Sequence, residues 1–424
     1  MTALSYRPRI ADSMLKRSLQ SRGAVLIQGP KWCGKTTTAI EHSNSVLRLD
    51  EPASRNQNLA LAEIDPGALL VGDTPRLLDE WQLAPTLWDA VRYEVDQRQA
   101  TGQFILTGSS VPARLDQASH SGTGRIARMR MRPMSLQESE DSAATISLKQ
   151  LFDGEAEPAH GPDSSIQDIA QVLCRGGWPQ TIGQEPEIAL LSAQDYLSEI
   201  VDSDISRVDG ANRNPVLARA ILRSYARFSG QPAALTKVQA DVEATTPIND
   251  KTLRSYLTAL EQIFVIEDLP AWNPNLRSQT AIRSTATRHF VDPSIAAAAL
   301  STGPGGLIKD LNTFGLLFES LGVRDLRIYT DAIGGDVFHY RDKNGLEADA
   351  VVHLHDGRYG LIEIKLGGNS AIVDAKKSLR KLHGLIADSK MAEPSFQMVL
   401  TATGSYAFPD SEGIWIVPIT TLGA

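Results

Sequence analysis

Cysteine is nearly absent: Cys33 and Cys174 are the only two in 424 residues, too few for a disulfide framework or a cysteine metal quartet, and they fit a reducing compartment. No stretch reaches the roughly eighteen uninterrupted apolar residues that a membrane helix needs. The opening Met1-Thr2-Ala3-Leu4-Ser5-Tyr6-Arg7-Pro8-Arg9 also lacks the apolar core of a secretory signal. Together these absences predict a cytoplasmic protein with no membrane partner. Positive charge is not in excess either: 42 Lys and Arg face 50 Asp and Glu, a net charge of −8. That excludes a globally basic nucleic-acid coat and leaves only local clusters to meet phosphates. The chain does have length and 42% hydrophobic content, enough for several cores. The expected division is into three domains at residues 1–150, 151–275 and 276–424.

Residues 29 to 36 read Gly-Pro-Lys-Trp-Cys-Gly-Lys-Thr, the spacing of a phosphate-binding loop. The apolar run Ala24-Val25-Leu26-Ile27-Gln28 predicts a short buried strand before it, and Thr37 to Glu41 can open a helix after it. In that context the N–H groups of Gly29, Pro30's neighbours Lys31, Trp32 and Cys33, and Gly34 can wrap a β-phosphate. Lys35 can reach the β and γ oxygens, Thr36 can ligate Mg²⁺, and Thr37 can border the nucleotide. A nucleoside triphosphate site needs an acidic strand as well, and Leu77-Leu78-Asp79-Glu80 supplies it. Asp79 is expected to hold Mg²⁺, mostly through water, and Glu80 to polarise the attacking water. The strand Phe104-Ile105-Leu106-Thr107 ends in Gly108-Ser109-Ser110, where Thr107 or Ser109 can sense the γ-phosphate. Arg125, in Ser121-Gly122-Thr123-Gly124-Arg125-Ile126 before a strand at 127–131, is expected to neutralise γ-phosphate charge in its own subunit or a neighbour's.

These motifs, with the later Arg175-Gly176-Gly177-Trp178-Pro179, resemble along nearly the whole chain a large family of prokaryotic AAA+-superfamily ATPases that carry a C-terminal domain of unknown function. The resemblance implies ATP binding at Gly29, Gly34, Lys35 and Thr36, with Asp79 and Glu80 as the acidic pair.

Residues 155–165, rich in Gly, Pro, Ser and charge, predict an exposed linker. Beyond it, helical spacing runs over 166–173, 189–200 and 215–228. The segments 235–241 and 251–260, joined by Thr246-Pro247-Ile248-Asn249 and followed by a strand at 264–269, predict a winged helix. Leu253, Tyr256, Leu257 and Leu260 would form the apolar face of its second helix, with Lys251, Arg254 and Ser255 exposed. Arg219, Arg223 and Arg227 recur every four residues, an arginine ridge that either meets a DNA backbone or pairs with acidic neighbours.

The last third alternates in α/β rhythm: a helix at 314–321, strands at 325–330, 337–341, 348–354 and 359–366, a helix at 372–386, and strands at 396–401 and 414–418. A turn at His355-Asp356-Gly357-Arg358 sets Asp349 almost opposite Glu363, with Glu363 and Lys365 on one face. Glu347-Ala348-Asp349 followed by Glu363-Ile364-Lys365 is similar to the PD-(D/E)xK nuclease signature, with alanine where the motif has proline. Glu319 stands where such folds often add a third carboxylate. The similarity implies a restriction-endonuclease-like α/β fold in which Asp349 and Glu363 hold a second Mg²⁺ or Mn²⁺ and Lys365 positions the nucleophile.

The sequence thus predicts an α/β protein with a P-loop, AAA+-like ATPase domain, a helical and winged-helix middle and a nuclease-like end. ATP and Mg²⁺ would act at the first domain in a cycle that moves the other two, with DNA as leading partner and self-association open. The rival reading is a non-cleaving, nucleotide-dependent switch that binds protein partners. A small-molecule kinase explains neither of the later regions.

Overall fold

The computed structural model describes residues 6–109, 123–273, 285–387 and 391–424. Ser110, Ser121, Gly122 and the expected boundary at 275/276 lie outside them. The chain divides into two compact units. One comprises Met1–Pro133, Ser203–Asn212 and Thr258–Val265, the other Met134–Asp202, Arg213–Leu257 and Ile266–Ala424.

The first unit runs α1 (Ile10–Ser21), β1 (Ala24–Gln28), α2 (Lys35–Glu41), β2 (Ser45–Arg48), α3 (Arg55–Ile64), β3 (Arg76–Asp79), α4 (Thr86–Arg98), β4 (Phe104–Gly108) and β5 (Ile126–Arg130). Its five strands lie in the order β2-β3-β4-β1-β5, each pair parallel. The central strands are apolar along their length because both faces of a parallel sheet are covered by helices. On one face Leu26, Leu78 and Leu106 pack with Trp88 and Val91 of α4; on the other Val25, Ile27, Leu77 and Ile105 pack with Leu15 and Leu19 of α1. β4 lies between the phosphate-loop strand β1 and the acidic strand β3, the arrangement in which a polar residue at its tip faces the site.

The second unit holds β6 (Ile146–Ser147), α5 (Leu148–Asp153), β7 (Ala159–His160), α6 (Ile166–Arg175), α7 (Pro186–Glu199), α8 (Pro215–Arg227), α9 (Leu235–Glu243), most of α10 (Asp250–Gln262), α11 (Pro293–Ala299), α12 (Pro304–Lys309), α13 (Leu311–Ile333), β8 (Gly335–Arg341), β9 (Glu347–Leu354), β10 (Tyr359–Lys365), α14 (Asn369–Ala387), β11 (Phe396–Thr401), β12 (Tyr406–Pro409), β13 (Ile414–Pro418) and β14 (Leu422–Gly423). Seven strands form one sheet, β7-β12-β13-β11-β10-β9-β8. In its hairpin Tyr359 pairs with His353 and Ile362 with Ala350, which carries the antiparallel register to Glu363 and Asp349. Ala375, Leu379, Leu382 and Ile386 of α14 cover Val351, Leu361 and Val399 on one face.

Three sequence expectations are corrected here. Residues 325–330 are not a strand: α13 continues through them to Gly334, whose left-handed φ of 80° and N–H to the Thr330 carbonyl end it. Gly322, which reads as a break after Leu321, is instead a point of close approach, where an added Cβ would come 2.9 Å from Ile364 Cδ1 and 3.1 Å from Leu400. The expected linker at 155–165 contains β7, paired with β12 through Ala159–Ala407 and His160–Tyr406, so this stretch closes the sheet edge. The expected wing strand at 264–269 makes only single bridges, Ile266 to Phe290 and Leu269 to Thr287.

Candidate functional site

Between β1 and α2 the loop is held by contacts on both of its sides. Gly34 takes φ 98°, a conformation that glycine adopts without strain, and caps α2. Gly29 is required by proximity: a Cβ there would lie 2.0 Å from the Met131 carbonyl oxygen. Cys33 is fully buried, its sulfur 3.5 Å from the same carbonyl. Lys35 is buried and donates from Nζ to the Pro30 carbonyl at 2.6 Å, while Lys31 reaches Asp204 at 2.5 Å. Trp32 and Thr37 are exposed at the rim and Thr36 is half-buried.

The acidic strand ends beside this loop. Asp79, 4% exposed, accepts hydrogen bonds on Oδ1 from Thr36 Oγ1 at 2.8 Å and from Thr107 Oγ1 at 2.5 Å. One carboxylate oxygen thereby joins the tips of β3 and β4 to the start of α2. Of the two sensor candidates, Thr107 is the one that touches this cluster, and Ser109 is half-buried two residues on. Glu80 sits at φ 56°, ψ 41°, a left-handed conformation that costs a non-glycine residue of order 1 kcal/mol and recurs at functional sites. Its carboxylate accepts a hydrogen bond from Gln82. Burial pushes the Glu80 carboxyl above its ordinary range, with the Asp79 charge adding to the rise and Lys35 opposing it.

Arg125 is corrected as a γ-phosphate ligand of its own subunit. Its neighbour Ile126 pairs with Ala24 at the start of β1, whereas the phosphate loop follows Gln28 at the other end. Arg125 is exposed and paired with Asp96 at 2.8 Å.

The C-terminal carboxylates converge as the hairpin register requires. Lys365 Nζ lies 2.7 Å from both Asp349 Oδ2 and Glu363 Oε2, and the Ile364 N–H donates to Asp349 Oδ2 at 2.7 Å. Glu363 is 2% exposed; burial, then the Asp349 charge, pushes its carboxyl up to about 9. Burial, then Asp349, also raises Glu319 well above the ordinary carboxylate range. For Lys365, burial favours the neutral amine, but Asp349 and Glu363 outweigh it and keep the ammonium charged. A cavity of about 40 Å³ beside the cluster is lined by Glu319, Glu347, Asp349, His289 and His339 among others. Among the described residues no group of three or more His, Cys, Asp or Glu is arranged to hold a metal ion.

Three of the basic residues expected to meet DNA have acidic partners within the protein. Arg219 pairs with Asp202, Arg227 with Asp241 and Arg254 with Asp250. Arg223, Lys251 and Ser255 are exposed, and Leu253, Tyr256, Leu257 and Leu260 are buried as an apolar face.

The loop, the acidic strand and the intervening strand lie within a region that has known relatives. Residues 21–140 match the family described as AAA domain. This part of the chain is similar to AAA domains. Residues 166–305 and 314–422 match two domains of unknown function, DUF8612 and DUF4143. The chain is similar to the uncharacterized proteins Mb2031c of Mycobacterium bovis and Rv2008c of Mycobacterium tuberculosis, each 22% identical over 418 residues that cover 97% of this chain and 83% of theirs. Among solved structures it is similar to the Walker-type ATPase PABY2304 of Pyrococcus abyssi, with a TM-score of 0.44 and 15% identity over 69% of this chain and 96% of that one. No helix among the described residues is long and apolar enough to cross a membrane.

Sequence reasoning missed Arg9, Tyr6 and Asp12, which bind the phosphate loop and α2, and Asp204, the partner of Lys31. Tyr6 and Arg9 precede α1 and Asp12 lies in its first turn, with no motif to mark them.

Proposed function

We propose that the AAA-type domain binds ATP with Mg²⁺ and hydrolyses it, and that the chain uses this cycle as a switch. The observation that supports it is the double hydrogen bond of Asp79 with Thr36 and Thr107, next to the buried Lys35 and the half-buried Glu80. The hydroxyl and carboxylate oxygens of Thr36 and Asp79, 2.8 Å apart, suit a hard, oxygen-seeking cation, so these two residues would hold Mg²⁺ and its water. Bound there, Mg²⁺ neutralises charge on the β- and γ-phosphates. Lys35, now on the Pro30 carbonyl, would exchange that bond for phosphate oxygens. Glu80 would accept a hydrogen bond from the attacking water and align it. The test is Mg²⁺-dependent phosphate release from ATP. Lys35→Ala should abolish nucleotide binding, and Glu80→Gln should bind ATP but release phosphate at least about a hundredfold more slowly. Wild-type turnover by Glu80→Gln would remove Glu80 from the role.

For the C-terminal domain a specific observation favours the non-cleaving reading over a nuclease. The Lys365 ammonium lies between Asp349 and Glu363 and supplies the positive charge that a metal would bring. With that ammonium between the two carboxylates the residues do not fit a resident Mg²⁺ or Mn²⁺. The partner of the switch is then a macromolecule bound, not cut, and the net charge of −8, with Arg219, Arg227 and Arg254 each beside an acidic neighbour, favours a protein over a DNA backbone. Incubation with single- and double-stranded DNA and RNA, with Mg²⁺ or Mn²⁺ and with or without ATP, decides the matter. Cleavage lost in Asp349→Ala and Glu363→Ala would restore the nuclease reading.

A further inference from the structure

Tyr6 and Arg9, with Asp12 in the first turn of α1, make four hydrogen bonds to the phosphate loop and its surroundings that the hydrolysis chemistry does not use. Arg9 is buried, with 7% of its surface exposed, and donates to the carbonyl oxygens of Cys33 at 2.7 Å and Arg132 at 2.9 Å. Asp12 accepts from the Arg9 backbone N–H at 2.8 Å and from the Tyr6 hydroxyl at 2.5 Å, and its other neighbour is His42 at 3.1 Å, just past the end of α2. The Tyr6 hydroxyl also lies 3.2 Å from Thr38 Oγ1, within α2. One short segment therefore holds the loop, the strand end beside it and the helix that follows.

The bond to Cys33 has a directional consequence. A peptide unit is planar and trans, so the Cys33 carbonyl and the Gly34 N–H point in opposite directions. A guanidinium that binds the carbonyl on one side turns the N–H to the other. Resting on the nucleotide reading above, we propose that Arg9 is a positioning residue for phosphate. By holding the Cys33 carbonyl on the outer side of the loop, it presents the Gly34 N–H to the β-phosphate of the incoming nucleotide. Gly34 itself takes a φ of 98°, open to glycine without strain, before the helix begins. The loop is thus set in its receptive form by the protein's own residues, and phosphate binding does not have to supply the ordering.

Arg9→Gln removes the charge, is too short to reach both carbonyls and leaves the buried Cys33 carbonyl oxygen poorly satisfied. The expected result is a rise of about tenfold or more in Kd for ATP and ADP alike, and in the inhibition constant of pyrophosphate by the same factor, with kcat at saturating ATP within about twofold of wild type. Arg9→Lys, which keeps the charge and can reach one carbonyl, should recover part of the loss. Tyr6→Phe, at a half-buried site that should tolerate the change, should raise the same constants by a smaller factor and serves if Arg9→Gln does not fold. Unchanged ADP and pyrophosphate constants in Arg9→Gln and Tyr6→Phe would overturn the assignment. So would a loss of ADP affinity with pyrophosphate inhibition intact, which would place the effect on the base side. Failure of the wild-type chain to bind ATP would instead defeat the nucleotide reading itself.

Discussion

Glu363→Gln separates an acid balanced by Lys365 from a carboxylate waiting for a metal. In the folded protein the Glu363 carboxyl is pushed up to about 9 from an ordinary 4.5 by burial and by the Asp349 charge. Between those values the folded chain keeps a proton that the unfolded chain releases, so its stabilising effect is complete below about pH 4.5 and is lost as pH rises toward 9. The slope for one such group is about 1.4 kcal/mol per pH unit. From about pH 7 to about pH 8.5 it removes about 2 kcal/mol of stability. Lys365, held above its ordinary value, stays charged in folded and unfolded chains throughout that window and adds no slope. Glu319 is raised chiefly by burial and then by Asp349, both of which remain in Glu363→Gln, so it adds a slope of the same sign in both proteins. Equilibrium urea unfolding at the two pH values should therefore cost wild type about 2 kcal/mol more than it costs Glu363→Gln. Parallel pH dependence in the two proteins would refute the reasoning. Glu363 would then be ionised in the fold, and the cluster would carry a negative charge that calls for a cation.

The same cluster predicts that Lys365→Met, which strands Asp349 and Glu363 without their ammonium, lowers stability in urea by about 3–5 kcal/mol at neutral pH; a loss under about 1 kcal/mol would mean that the pair is not the site's charge balance. At the nucleotide site, Thr107→Val takes one hydrogen bond from Asp79 and should slow phosphate release by about tenfold with ATP affinity nearly unchanged, as read by single-turnover kinetics and titration. Because Glu80 acts as an anion and burial raises its carboxyl, the acid limb of kcat against pH should lie above the usual carboxylate range. Glu80→Gln should flatten that limb; an unchanged acid limb in the variant would assign it to another group.

What could be read from the sequence is what short-range geometry dictates. The phosphate loop, β1, the acidic end of β3 and the 355–358 turn are each fixed by residues a few positions apart, so spacing alone locates them. The hairpin extends this reach, because a known turn sets a register, and the register brings Asp349 to Lys365 sixteen positions on. Where a partner lies far along the chain, local pattern misleads. Ala159-His160 reads as linker because β12, its partner, is almost 250 residues away. Leu326 and Ile328 alternate like a strand, yet the cap that decides the matter is Gly334, and Gly322 is tolerated for its closeness to β10 and β11. Arg125 is a glycine-loop arginine in sequence, but a parallel strand puts its two ends on opposite edges of the sheet, and only the pairing of Ile126 with Ala24 reveals which edge it occupies.

The same distinction explains why Arg9 went unseen while Lys35 did not. Lys35 is written into a motif because the loop's spacing and its ligand chemistry are one local problem. Arg9 acts 24 and 123 residues downstream, on carbonyl groups that every residue carries, so no side-chain pattern at the receiving end betrays it. Residues that shape a site by gripping its backbone leave no motif, and a buried arginine that donates to carbonyl oxygens beside a phosphate loop is the structural sign that replaces one.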